Sequence, residues 1–306
     1  MKPRRAIAFL KSLVPNLLRV TTAALCVCML CVCMLCVGVP CEAQSPTEPF
    51  TWEKLGGGLE QTNFRINGDS IISSSIAIVR SDMRSHRIGV IRASEFGWKQ
   101  ATVQSLCKAS GAVACINANF FDEQGKPLGL VISRGILHQK VHKGGGLLTG
   151  VLFVTSKAIG VAHRDGFSTE GVVEAVQAGP RLVSKGNIVE GLRESSRSSN
   201  LSGICIDAQD RLSIFRVTSG VFGGSLHQLQ NVLIQPQLGC VEALNFDGGG
   251  SSSMYISGEI QGHAGAVREE NFPGTDEVPV AIGLFPLETP PPNVVVNPSG
   301  TVQPTP

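Results

Sequence analysis

Asp247 opens a run of seven small or acidic residues, Asp247 to Ser253, that interrupts two apolar stretches in "EALNFDGGGSSSMYI". A hairpin between two strands needs only a dipeptide such as Asp-Gly, so this run is longer than a turn requires. Gly248, Gly249 and Gly250 let backbone N–H groups approach and converge on an anion, and Ser251, Ser252 and Ser253 add hydroxyl donors. Such a loop suits a phosphate, with the Asp247 carboxylate beside it. A P-loop is excluded because no Gly-Lys-Ser/Thr follows, and a nucleophile elbow because Gly-x-Ser-x-Gly is absent. The competing reading is a strand connection whose Asp caps its own backbone.

Two further blocks carry residues of the same kind. In "INANFFDEQGKPLGLVISRG", residues 116 to 135, Asn117 and Asn119 lie two apart, so their amides face one side if the strand continues. Asp122 follows as a second candidate carboxylate, and Gly129 permits close backbone approach. "SRG" reads as a hairpin turn, which makes Arg134 structural and leaves His138 a solvated strand residue rather than a catalytic base. In "QAGPRLVSKGNIVEGLRESSRSSNLSGICID", residues 177 to 207, Gly179-Pro180 fixes the chain and Lys185-Gly186 marks a hairpin. Arg193, Arg197 and Asn200 lie in the polar loop that follows, where a guanidinium can grip a phosphate in bidentate fashion. Asn200-Leu201-Ser202 also matches a glycosylation acceptor, relevant in a eukaryotic host.

The elements that must position these residues are mostly short strands. "SSIAIVRS", "RIGVIRA", "GAVACIN", "TGVLFVT", "LSGICID", "RLSIFRV" and "PVAIGLF" are apolar runs punctuated by Gly and charged turns. Two stretches read as helices: Thr102 to Ser110, stopped by Gly111, and Ser225 to Leu238, with Ser225 as N-cap. Each is followed by an apolar strand and then an Asn/Phe/Asp loop, a degenerate repeat that would bring Asp122 and Asp247 to equivalent strand ends. Chance similarity competes with this, since few letters are shared. The expected fold is α/β and strand-rich: one domain over residues 50–286, a mixed sheet and few helices. Asn117, Asn119, Asp122, Arg197 and Asp247 to Ser252 are expected to line one cleft.

Residues 1–43 read as a signal peptide or an uncleaved N-terminal anchor, with a basic start and an uncharged run from Val20 to Val39. The expected location is therefore secreted or cell-envelope, with membrane contact only through such an anchor. Residues 287–306 are a proline-rich, disordered tail. Without residues 1–43 the chain has 21 basic and 23 acidic side chains, which is no electrostatic footprint for nucleic acid. Tyr255 is the only tyrosine, which argues against an aromatic-lined glycan groove. Six of the ten cysteines fall in the leader as apolar filler. Cys107, Cys115, Cys205 and Cys240 remain, with three connectivities for two bridges. Buried free thiols are the alternative for Cys115 and Cys205, and the mature part has no zinc-ligand spacing.

"INANFFD" with its downstream Pro-Leu-Gly, "QAGPRLV" followed by Lys-Gly, and "ALNFDGGGSSSMYI", in this order, resemble the phosphodiester glycosidase family over about residues 112 to 257. Members often carry Asn-Gly-Gly-Phe-Phe where this chain has Asn117-Ala118-Asn119-Phe120-Phe121, and here no Arg directly precedes the "GICID" strand. The resemblance implies hydrolysis of a sugar-1-phosphodiester at the sugar C1–O bond. Ordinary glycosidases flank the bond with two carboxylates. A phosphate leaving group is a weak base, so one carboxylate, Asp247 or Asp122, and a phosphate cradle suffice. Two alternatives stay open: a non-catalytic envelope module that binds phosphorylated glycans, and a phosphodiesterase with a divalent metal on Asp122 and Asp247.

Overall fold

The computed structural model describes residues 51–66, 74–192, 199–219, 225–260 and 268–287. Residues 1–50, Arg193, Arg197 and the proline-rich residues 288–306 lie outside these. In chain order the strands are β1 (Glu53–Gly56), β2 (Leu59–Ile66), β3 (Ser74–Ser81), β4 (His86–Arg92), β5 (Ala114–Asn117), β6 (Val131–Ser133), β7 (Ile136–Gln139), β8 (Gly150–Thr155) and β9 (Ile159–His163). Then come β10 (Val172–Ala178), β11 (Arg181–Ser184), β12 (Asn187–Ile188), β13 (Leu201–Asp207), β14 (Leu212–Thr218), β15 (Cys240–Asn245), β16 (Met254–Ile256), β17 (Glu270–Phe272) and β18 (Val280–Pro286). Two α-helices accompany them, α1 (Val103–Ser110) before β5 and α2 (Leu226–Leu233) before β15.

The caps explain the helices. Thr102 Oγ1 accepts from Ser105 N at 3.1 Å, and Gly111, at φ 76°, returns its N–H to Cys107 O. Ser225 and Gln228 form a capping box at the start of α2. That helix stops at Leu233 rather than Leu238, because Pro236 steers the residue before it away from helical backbone. Arg134-Gly135 and Lys185-Gly186 both take positive φ, the two-residue turn that tight hairpins favour.

The strands form an eight-stranded sheet, in the order β1-β2-β3-β14-β13-β15-β11-β12, and two five-stranded sheets, β7-β6-β10-β8-β9 and β17-β16-β5-β18-β4. The strand-rich expectation holds, but the mixed sheet does not: every strand pair among the described residues is antiparallel. The reason is visible in the two helical crossovers. β4-α1-β5 and β14-α2-β15 each run back in the same direction, yet each leaves a gap of one strand, filled by antiparallel β18 and β13 respectively. Parallel strands are therefore never neighbours.

Period-two alternation distributes side chains between layers. Ala77, Val79, Ile204, Ile206 and Ile214 of the large sheet point into a central core shared with Val90, Ile116, Ile282, Leu152 and Val176 of the other two sheets. Their neighbours Ile76, Ile78, Cys205, Phe215 and Val217 point to the opposite face, where Leu229 and Leu233 of α2 cover them. Leu106 and Cys107 of α1 cover Ile91, Cys115 and Tyr255 on the outer face of the β4-containing sheet. Disulfides Cys107–Cys115 and Cys205–Cys240 pin α1 to β5 and β13 to β15. Among the described residues no helix is long and apolar enough to cross a membrane.

Candidate active site

Besides the passage from β3 to β4, the chain moves from one sheet to another at three places that converge. Residues 118–130 carry it from β5 to β6, the cis Gly179-Pro180 peptide from β10 to β11, and residues 246–253 from β15 to β16. Asparagine side chains stitch these crossings together. Asn117 is fully buried; its Nδ2 donates to Asp247 O at 2.7 Å and its Oδ1 accepts from Ser253 N at 3.1 Å. Asn119 Nδ2 donates to Leu130 O and Gln177 O at 3.1 and 3.0 Å. Asn245 Nδ2 donates to Gly179 O at 3.2 Å. The three sequence blocks are these three crossings.

The glycines of the loop are required by close approach. A Cβ on Gly248 would lie 2.8 Å from Asn200 O, and one on Gly250 would lie 2.3 Å from Asp276 Oδ2. Gly249 takes φ 62° and donates its N–H to Asn200 O at 2.9 Å. Ser251, Ser252 and Ser253 are buried, and their hydroxyls serve the loop rather than a ligand: Ser252 Oγ donates to Leu201 O and Ser253 Oγ to Ser251 O, each at 2.9 Å. Ser202 Oγ adds a 3.0 Å bond to Asp247 O. The backbone on either side of the carboxylate is thereby fixed, which presents the Asp247 side chain in one geometry.

Burial pushes the Asp247 carboxyl up to about 6, and the negative charge of Asp276 adds to the rise, while the Ser251 hydroxyl and Gly248 N–H oppose it. Asp276 sits in a turn whose N–H donates to Gly250 O at 3.0 Å and whose Thr275 Oγ1 donates to Asp276 Oδ1 at 3.1 Å. Beneath both lies buried Arg216 of β14. Its Nε donates to Ser252 O at 3.0 Å and its Nη2 reaches Pro273 O at 3.4 Å, so one guanidinium ties the Asp247 loop to the Asp276 turn. Arg216 has no carboxylate partner among the described residues, and burial lowers its pKa.

Asn117, Asn200 and Asp247 to Ser252 therefore come together. Asn200 contributes its carbonyl to Gly249 and its Oδ1 to Ser219 N at 3.0 Å. Asn117 and Asn119 do not share a face, because β5 ends at Asn117 and the alternation lapses there. Asn119 and Gly129 instead pack behind the loop against Gln177; a Cβ on Gly129 would lie 2.9 Å from Gln177 Cβ. Asp122 is not the counterpart of Asp247. Asp247 lies two residues beyond the strand-end Asn245, and the position two beyond Asn117 is Asn119. Asp122 Oδ1 closes its own turn by accepting from Gln124 N and Lys126 N at 3.0 and 2.8 Å. Arg134 is structural, its N–H on Glu174 Oε1 and its Nη2 on Glu95 Oε2. Among the described residues no group of three or more His, Cys, Asp and Glu forms a metal-ligand cluster. Sequence reasoning missed Asp276 and Arg216. "PGTDE" reads as any acidic turn, and Arg216 as an ordinary polar position in a strand.

The phosphodiester glycosidase family profile matches residues 110–285, more than half of the chain. No curated protein sequence matches it. Among solved structures, the catalytic domain of zebrafish N-acetylglucosamine-1-phosphodiester alpha-N-acetylglucosaminidase, auto-inhibited by its pro-peptide, is 18% identical, with 79% of this chain and 85% of that one covered and a TM-score of 0.55. A hypothetical protein from Synechocystis is also 18% identical, with 79% of this chain and 64% of that one covered and a TM-score of 0.53. At this identity the likeness is one of fold.

Proposed function

Since the chain belongs to the phosphodiester glycosidase family, we propose that it is an exported hydrolase that cleaves the sugar C1–O bond of a sugar-1-phosphodiester. The observation that carries this reading is the Asp247 carboxyl, fixed at the meeting of three crossings and raised to about 6. A group with that affinity for protons exchanges them readily near neutral pH, as a general acid or base must. A departing phosphate monoester is a weak base, so partial protonation by Asp247 is enough to assist it. Asp276, on the other side of Gly250, supplies the second negative charge that a cationic sugar or an attacking water needs. In this reading Arg216 positions both loops, and Asp122 holds a turn. Two disulfides and the uncharged run near the N-terminus support export, since such bridges persist in oxidising compartments.

The test is kcat and KM of the purified protein on a panel of sugar-1-phosphodiesters, with an α-N-acetylglucosaminyl diester first because of the zebrafish relative's name. Asp247→Asn is expected to lower kcat by roughly 10²–10⁴-fold with the fold intact. Reaction in oxygen-18 water should label the released sugar. Label in the phosphate instead would mean attack at phosphorus, and an Asp247→Asn protein with wild-type kcat would remove Asp247 from the chemistry.

A further inference from the structure

A second feature lies outside the Asp247 site. A cavity of about 300 Å³ opens between the end of β4, the Asp122 turn, β7 and the start of β18, and its wall carries Arg92, Ser94, Lys99, Lys126, His138 and Gln139. With Pro279 and Val280 the lining comes from four separated segments, and parts of it are held in place. Asp122 closes the turn that presents Lys126, and Gly125, at φ 76°, lets the Gln100 side chain pack against that turn at about 3.0 Å from where a Cβ would stand. Arg92 is fixed by Glu95 Oε1 at 3.0 Å and Ser94 Oγ at 3.2 Å.

Charge is unbalanced here. Glu95 serves both Arg92 and Arg134, and neither Lys99 nor Lys126 has an ion-pair partner among the described residues. The field is felt by His138, whose pKa is lowered by burial and then by Arg92 and Arg134, with Glu95 opposing. A concave site with two uncommitted lysines, a guanidinium and neutral donors matches a tetrahedral oxyanion ester.

We propose that this cavity is a second anion-binding site, which takes a phosphate or sulfate group carried on a carbohydrate ligand. Pro279 and Val280 line it, and Asp276 is three residues before Pro279, so the two Cα atoms lie within roughly 11 Å. A substrate cleaved beside Asp247 and Asp276 can therefore place its next anionic group in this cavity. That last step rests on the glycosidase reading, whereas anion binding itself does not.

Calorimetric titration with inorganic pyrophosphate, and separately with sulfate, decides the binding claim. Wild type and Asp247→Asn are expected to bind alike. Lys99→Ala/Lys126→Ala should bind roughly tenfold or more weakly, as the loss of charge-assisted hydrogen bonds dictates. The Lys→Arg pair should recover most of the affinity. Tighter binding of one anion over the other identifies the ester. A double alanine variant that binds both anions as wild type does would overturn the site. Turnover gives the second arm: KM for a diester whose aglycone carries a second phosphate should rise in the double variant, with kcat unchanged and with no effect on a neutral aglycone. An equal KM effect on both aglycones would overturn the subsite. A protein that binds pyrophosphate through these lysines but turns over no diester would sink the glycosidase reading alone.

Discussion

At the scale of the residue, ionising the Asp247 carboxyl works against the fold. Its folded pKa of about 6 exceeds the unfolded value near 3.8, so between those pH values the native state binds the proton and the unfolded state does not. Stability therefore falls as pH rises from about 4 to about 6, by roughly 3 kcal/mol in all. Asp247→Asn cannot ionise, so its melting temperature should exceed that of wild type at pH 7 and the difference should vanish below pH 4. Melting curves at the two pH values check this, and equal midpoints at pH 7 would contradict it. The same group predicts a kcat/KM profile with a limb near pH 6. Asp247 and its glycines were legible because seven small residues between two strands need a reason. Asp276 was not, since its importance lies in standing over Gly250 from 26 positions away, and an acidic turn carries no mark of what it faces.

At the scale of the element, two neighbouring glycines should fail differently. The atoms nearest to a methyl at Gly250 belong to the exposed Asp276 and Thr275 side chains, which can swing away into solvent. Gly250→Ala should thus keep the fold and impair turnover by displacing Asp276. A methyl at Gly248 meets the Asn200 carbonyl, which is backbone, so Gly248→Ala should disturb the loop itself and lower the melting temperature. Comparing melting curves and kcat for the two variants checks the distinction. The disulfides act on elements as well. Cys205–Cys240 closes 35 residues and Cys107–Cys115 only 8. Removing the first as a Cys→Ala pair should cost about 4 kcal/mol and the second about 2.5 kcal/mol by urea denaturation. The helices were legible from Thr102, Gly111 and Ser225, and the hairpins from Arg134-Gly135 and Lys185-Gly186, because caps and tight turns are local chemistry. The antiparallel pairing was not, because β18 reaches its gap from the far end of the domain, and β13, a hairpin neighbour of β14, also pairs with β15 beyond the second crossover.

At the scale of the whole molecule, Asn117 joins groups 130 and 136 positions away, Asp247 O and Ser253 N. Asn117→Ala leaves Ser253 N buried without its partner and Asp247 O with the Ser202 hydroxyl alone, and should destabilise the protein by roughly 1–3 kcal/mol, measurable by urea denaturation. Because each crossing is completed by a side chain from another, none can settle until all three sheets have docked. Closing such long loops is slow relative to local hairpins. A chain diluted out of urea should regain its strand signal in circular dichroism well before it regains turnover, so the order of events in refolding is written into where the sheets meet. A nascent or partly unfolded copy would carry ordered hairpins, while the loop around Asp247 would stay unformed until its last contacts had closed.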